Sequence, residues 1–419
     1  MKHGTVSVLA TLVVSATISV FPASAAPSSE QSFETVDLTT VKAELANHRD
    51  VDRFSQPVRA QAVAPGTRRA KDASDNCDAV RVGQSALGPD GQLKLCVQST
   101  PITPEAERAA RERRSMTTQA VQPLPSWCYE HVDGSWWITR TQGCQISPFT
   151  VTIVRIVNGV YVWVGEMKMN RYEYVYTSAT LNTYGHQVEF GTWAQSGDTA
   201  GVTVSGYNIC SEGCTVLNSS FPAQSPIGRI AQGEAYINGD ATARGSVAYT
   251  DTSWYFTFAK PGAVPGVADG GGSFPWTRCD HALPGPSVAG CVMGDFTPTM
   301  SYSLSGSYPE LATHIRDAQA AGLPGGLASN RPLNRLTDPT LVDKNRAVAC
   351  PASLPRPPGQ SCDEYPMAST HQGAATGVNG YSWRMINENQ NSSGGVALND
   401  FFRAQRIIEW DGFWMVITP

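Results

Sequence analysis

The sequence predicts a multidomain chain, an antiparallel β-sandwich followed by a small α+β domain. Between Trp127 and Leu304, β-branched and aromatic residues recur in short runs separated by turn residues. After about Tyr308 the pattern becomes a mixture of helix and strand. Ten cysteines fall as close neighbours along the chain. Together these divide the 419 residues into segments 1–26, 27–125, 126–304 and 305–419.

Residues 1–26 read as a signal peptide. Met1-Lys2-His3 is basic, 6–21 is apolar, and Ala23-Ser24-Ala25 supplies small residues for cleavage. Thr11, Ser15, Thr17 and Ser19 interrupt the run, which is also short for a membrane span. No later segment is apolar enough to cross a bilayer, so the expected mature protein is secreted and extracellular.

Residues 27–125 are rich in Ala, Ser, Pro and charge and are expected to be a poorly packed spacer or pro-segment with one helix. In that helix Thr103 caps, Pro104 takes the first position, and 105–114 follow with polar residues on every face.

In 126–304 the strongest signal is Asn158-Gly159 between two β-branched runs, 150–157 and 160–164, which predicts a hairpin. Further strands are expected at 171–177, 187–193, 201–205, 234–238, 245–250 and 253–259. The aromatics on these strands, among them Trp136, Trp163, Tyr172, Tyr174, Tyr176 and Trp254, suit core packing. A sugar-stacking platform for wall polysaccharide is the alternative. In 305–419, helices are expected at 309–321, 338–348 and 395–408, and strands at 381–386 and 413–418.

An even cysteine count agrees with export to an oxidising compartment. Neighbour pairing gives Cys77–Cys96, Cys128–Cys144, Cys210–Cys214, Cys279–Cys291 and Cys350–Cys362. Metal ligation is the rival use, but Cys210 and Cys214 have no second Cys or His pair at zinc-site spacing.

The chemistry concentrates at Asp363-Glu364-Tyr365-Pro366. The proline biases Tyr365 toward extended backbone, so the paired acids sit at a strand edge or chain reversal. Two such carboxylates can share a hard divalent cation, or one can hold it while the other accepts a proton. An exposed acidic turn is the bland alternative. No G-x-S-x-G or H-E-x-x-H pattern points to other hydrolase chemistry.

Four ordered blocks extend this reading. They are Tyr308-Pro309-Glu310 with 313–318, the run 363–368, Glu388-Asn389-Gln390-Asn391 with the following Ser-Ser-Gly-Gly, and the closing 413–417. In these the last quarter of the chain resembles the NucA/NucB family of secreted bacterial deoxyribonucleases. The resemblance implies a nuclease-like α+β domain acting on DNA with magnesium or manganese. It assigns Asp363 as base or metal ligand and Glu364 as its partner. Asn391 or Asn389, with Glu388, would complete the metal site. His314 has the chemistry of a general base, or is a helix-surface histidine. Arg316 and Arg384 are the expected phosphate contacts.

Net charge argues mildly the other way. The chain carries a formal −5, and residues 308–419 hold nine basic and ten acidic side chains. Binding by bulk charge is therefore excluded, and a local arginine grip is required. Two alternatives stay open: a wall-polysaccharide-binding protein with a degenerate nuclease domain, and an antibacterial toxin with a nuclease warhead.

Overall fold

The computed structural model describes residues 37–46, 61–62, 88–113, 122–269, 276–376 and 380–419. The expected signal peptide, Cys77 and residues 270–275 of the Gly-rich loop lie outside them. No helix among the described residues is long and apolar enough to cross a membrane.

The first region is built from β1 (Leu93–Ser99), β2 (Gln142–Val157), β3 (Val160–Ser178), β4 (Leu181–Gly197), β5 (Thr203–Glu212), β6 (Cys214–Gln224), β7 (Ala231–Gly239) and β8 (Val247–Ala259). The short β9 (Gly266–Asp269), β10 (Thr277–Asp280) and β11 (Gly290–Met293) follow. The lateral order is β1-β2-β3-β4-β7-β6-β5-β8, all antiparallel. Residues 263–269 join the two ends: Ala263 and Val264 pair with β1, and β9 pairs with β8.

This is one sheet curled on itself, which corrects the expected two-sheet sandwich. A single apolar cluster fills the inside. Alternate residues supply it, among them Phe149, Val151 and Ile153 from β2, Val188 and Phe190 from β4, and Trp254, Phe256 and Phe258 from β8. Phe190 meets Phe149, Phe256 and Phe258 edge-on at 6.1, 4.9 and 5.5 Å. The physical cause of the curl is strand length with bulges. Register shifts at Ile153/Val154, Lys168/Met169 and Asp251/Thr252 bend strands of up to 19 residues without ending them. In the sequence such bends look like turns, so 160–164 and 171–177 read as two strands and are one. The 158–159 hairpin forms as expected, with Asn158 and Gly159 at φ 53° and 69°.

Helices α1 (Leu38–Ala46) and α2 (Pro104–Arg113) belong to the expected spacer. Thr103 Oγ1 accepts from the Ala106 N–H at 3.2 Å, as a cap should. The expectation of a helix solvated on all sides does not hold. Ala106 and Ala110 are buried, and Arg113 forms a buried ion pair with Glu189 while covering the Tyr172 ring at 4.0 Å. β1, also from that segment, is part of the curled sheet. Trp136, Tyr172, Tyr174, Tyr176 and Trp254 are buried in packing rather than arrayed as a platform.

Disulfides Cys128–Cys144, Cys210–Cys214, Cys279–Cys291 and Cys350–Cys362 are formed. In the fifth expected pair, Cys77–Cys96, Cys77 lies outside the described residues.

The C-terminal α+β region starts earlier than residue 305. β12 (Thr299–Ser303) pairs in parallel with the last strand. Then come α3 (Pro309–Ala320), α4 (Pro339–Ala349), β13 (Gln360–Tyr365), β14 (Ser382–Asn387), α5 (Glu388–Ala404) and β15 (Gly412–Thr418). β13 and β14 form a two-stranded antiparallel ribbon, and residues 333–334 add to β15. A second apolar cluster, including Ile315, Tyr365, Phe401 and Phe413, lies between helices and strands.

Residues 39–419 form one compact unit, so the two regions do not separate as the multidomain expectation had it. The join is ionic. Arg278 donates to both Asp411 carboxylate oxygens at 2.6 Å, and Arg406 to Asp280 Oδ1 at 2.6 Å. Arg140 donates to the Gln405 carbonyl at 2.6 Å and the Arg406 carbonyl at 3.0 Å.

Candidate active site

The paired acids lie on β13, where side chains alternate between faces. Asp363 and Tyr365 turn toward α3. The Tyr365 hydroxyl donates to the Pro324 carbonyl at 2.6 Å and accepts from Gln319 at 2.9 Å. Glu364 turns toward α4, with Oε2 3.7 Å from Cys350 Sγ.

His314 sits on the buried face of α3 and is 0% exposed. Its Nδ1 donates to Asp363 Oδ2 at 2.5 Å, and its Nε2 lies 2.9 Å from Ser382 Oγ. A carboxylate only accepts, so Nδ1 carries a proton and the Ser382 hydroxyl can donate to Nε2. Both ring nitrogens are thereby occupied. The surface-histidine alternative is excluded, and the ring is placed to orient Asp363 rather than to reach a water.

α5 begins at Glu388, not at 395. The Asn387 side chain caps it, accepting from the Asn389 and Gln390 N–H groups at 3.0 and 3.2 Å. The Asn-and-Gly block is thus the first two turns of a helix. A Cβ on Gly394 would collide with Leu311 of α3, so this glycine lets the two helices approach closely. Glu310 ties the first block to the third, accepting from the Asn387 N–H at 2.8 Å.

These contacts bring Asp363, Glu364, Glu388 and Asn391 to the wall of one cavity of about 800 Å³. Asn391 donates its two amide hydrogens to Ser361 Oγ at 2.9 Å and the Cys362 carbonyl at 3.1 Å. Its Oδ1 is left as the atom with ligand capacity. Asn389 is exposed and does not line the cavity. The Cys350–Cys362 disulfide does, and it fastens the end of α4 to β13 beside the acids.

Burial and the Asp363 charge push the Glu364 carboxyl up to about 7. Burial also raises Asp363, while the hydrogen bond and charge of His314 oppose that rise.

The expected phosphate arginines are elsewhere. Arg316 and Arg384 both donate to the Asp317 carboxylate, at 2.8 and 3.0 Å, and neither lines the cavity. Arg335, Arg346 and Arg356 line it instead. Neither these arginines nor Ser382 was singled out from sequence. Arg346 had the only available signal, one helix face shared with the cysteine that leads to the acids.

An acid-lined cavity with an amide oxygen and three arginines suits hydrolysis of a phosphate ester. Residues 340–416 match the family model described as Deoxyribonuclease NucA/NucB. The second and third blocks fall within the match, and the fourth runs one residue past its end. The first, with His314, precedes it, yet the fold sets His314 against Asp363. No curated protein matches the chain.

Proposed function

We propose that the C-terminal region hydrolyses phosphodiester bonds of DNA outside the cell, cutting within strands, with magnesium or manganese as cofactor. The observation carrying this is the meeting of Asp363, Glu364, Glu388, Asn391 and three arginines at one cavity, within a segment that matches a deoxyribonuclease family. Four disulfides and the signal-like N-terminus support export.

The donor set fits a hard cation. Among the described residues no three His, Cys, Asp or Glu side chains cluster tightly enough to hold an ion alone. Magnesium typically takes one or two carboxylates and completes its shell with water and substrate phosphate. Asp363, the Asn391 amide oxygen and Glu388 are the groups to hold it. When bound, the cation neutralises charge developing on the phosphate oxygens.

The remaining steps belong to side chains. His314 holds the Asp363 carboxylate in one orientation. Glu364, raised to about 7, is matched to accepting a proton from water near neutral pH. Arg346 and Arg356 offer donors to the phosphate. The test is nicking of supercoiled plasmid by the disulfide-intact protein with magnesium or manganese, stopped by chelator. Intact plasmid under every divalent metal overturns the reading.

A further inference from the structure

One aromatic ring beside the cavity is held out to solvent at a cost in backbone energy. Trp410 is 63% exposed. It takes the third position of the turn 408–411, which the Asp411 N–H closes on the Ile408 carbonyl at 3.1 Å. Its φ is 68°, where glycine or asparagine is usual and a bulky side chain is strained. The Trp410 N–H donates to the Arg335 carbonyl at 2.9 Å, and the Trp410 carbonyl accepts from the Asn334 amide at 3.1 Å.

The ring is fixed as well as the backbone. His371 stacks on one face of it, with ring centroids 3.4 Å apart and 9° between the planes. His371 Nε2 donates to Glu409 Oε1 at 2.8 Å, and Glu409 Oε2 accepts from the Thr337 N–H and hydroxyl at 2.6 Å. Thr337, like Arg335, lines the cavity that holds the acids. Three contacts thus run from the cavity wall to the indole. With one face against His371, an exposure of 63% leaves the opposite face to water. Core packing does not account for such a ring, and strain of this kind clusters where a ligand is gripped.

We propose that the open face of Trp410 stacks a nucleobase flanking the scissile phosphate, so that the preferred substrate is single-stranded DNA or an opened duplex end. This rests on the deoxyribonuclease reading and deepens it. Inside a duplex the faces of each base are covered by its neighbours, and only an unstacked base presents one to a protein ring. Every base has such a face, so the platform selects strandedness and not sequence. It also adds grip without positive charge, in a chain of formal charge −5.

The test uses short single-stranded oligonucleotides, each with one abasic tetrahydrofuran residue, digested by the full chain with magnesium. In the wild type, kcat/KM at a given bond should fall about 5- to 150-fold when the abasic residue stands at one constant offset from that bond, the scale of one lost base stack. Trp410→Gly, which suits the φ of the turn, should lower kcat/KM on the intact strand by a similar factor. It should cause no further loss on the strand that is abasic at that offset. Trp410→Asn also suits this φ and gives the same measurement should the glycine variant not fold. The wild type should cut a blunt duplex more slowly than its single strand, and both variants should narrow that preference. Four results each overturn the proposal and leave the nuclease reading standing, because the wild type still cuts. They are no offset effect in the wild type, an offset effect kept in both variants, equal losses on intact and abasic strands, and a duplex cut faster than the single strand. A wild type that cuts no DNA removes the deoxyribonuclease reading itself, and this one with it.

Discussion

Arg406 follows the end of α5 with φ at 45°, and its guanidinium grips Asp280 of the curled sheet at 2.6 Å. The Ile407 N–H donates to the Phe402 carbonyl at 2.8 Å and the Arg406 N–H to the Arg403 carbonyl at 3.2 Å, the paired bonds of a helix end whose left-handed residue is usually glycine. An arginine there carries about 1–2 kcal/mol of backbone strain. The fold tolerates it because the side chain also donates to the Ala179 and Val288 carbonyls at 2.6 and 3.1 Å. Gly290 makes room, since a Cβ there would meet the Ala179 carbonyl and Arg406 Nη1. The α5 that carries Asn391 is thus held at its far end by the sheet region.

Asp280→Asn should therefore lower stability by about 3–5 kcal/mol, because Arg278 and Arg406 would lose their shared buried carboxylate. Denaturant unfolding should remain a single transition over both regions. A loss under about 1 kcal/mol, or two separate transitions in the wild type, would contradict the joined architecture.

Asp363→Asn or Glu364→Gln should lower plasmid cutting by about a hundredfold or more, the scale of one lost catalytic group. Circular dichroism should stay unchanged. His314→Asn should lower kcat while leaving KM close to wild type, since it orients Asp363 and does not meet substrate. Near-normal rates in all three variants would remove the site.

The cavity arginines should separate from the expected ones. Arg346→Met should slow cutting by about tenfold or more, as for a lost charge-assisted hydrogen bond. Arg316→Met and Arg384→Met should change it little, because both serve Asp317. Equal losses in all three would return the phosphate to the surface pair.

Glu364 gives a pH signature in chelator. Its ordinary value is 4.5 and the fold raises it to about 7, so the fold favours the protonated carboxyl. That stabilisation is complete below about 4.5 and is lost as pH rises through about 7. The wild type should lose stability relative to Glu364→Gln across that window and no further above it. A constant gap between the two melting curves would refute the raised carboxyl.

Reduction of Cys350–Cys362 should impair cutting before the sheet region melts. By chain-entropy reasoning a loop of this length is worth about 3 kcal/mol, and here the bond joins α4 to the strand of the acids. Full activity in a Cys350→Ser, Cys362→Ser double variant would show that the bond does not hold the site.

What the sequence alone determined is local. The Asn158-Gly159 hairpin, the cap at Thr103 and four near-neighbour disulfides depend on residues close in the chain, and these formed as read; of the two placements open for Asp363-Glu364, strand or chain reversal, the strand is found. Tertiary structure decided whatever depends on distant partners. Whether bulged strands make two sheets or one curled sheet is set by the pairing of 263–269 with β1 and β8. Whether His314 lies on the surface or against Asp363 is set by the packing of α3 on the ribbon. Which arginines face the acids is set by Asp317 taking Arg316 and Arg384, and by Phe402 supporting Arg335. Hydrophobic spacing marks the face a helix buries, but it carries no information about which charged groups meet across that face.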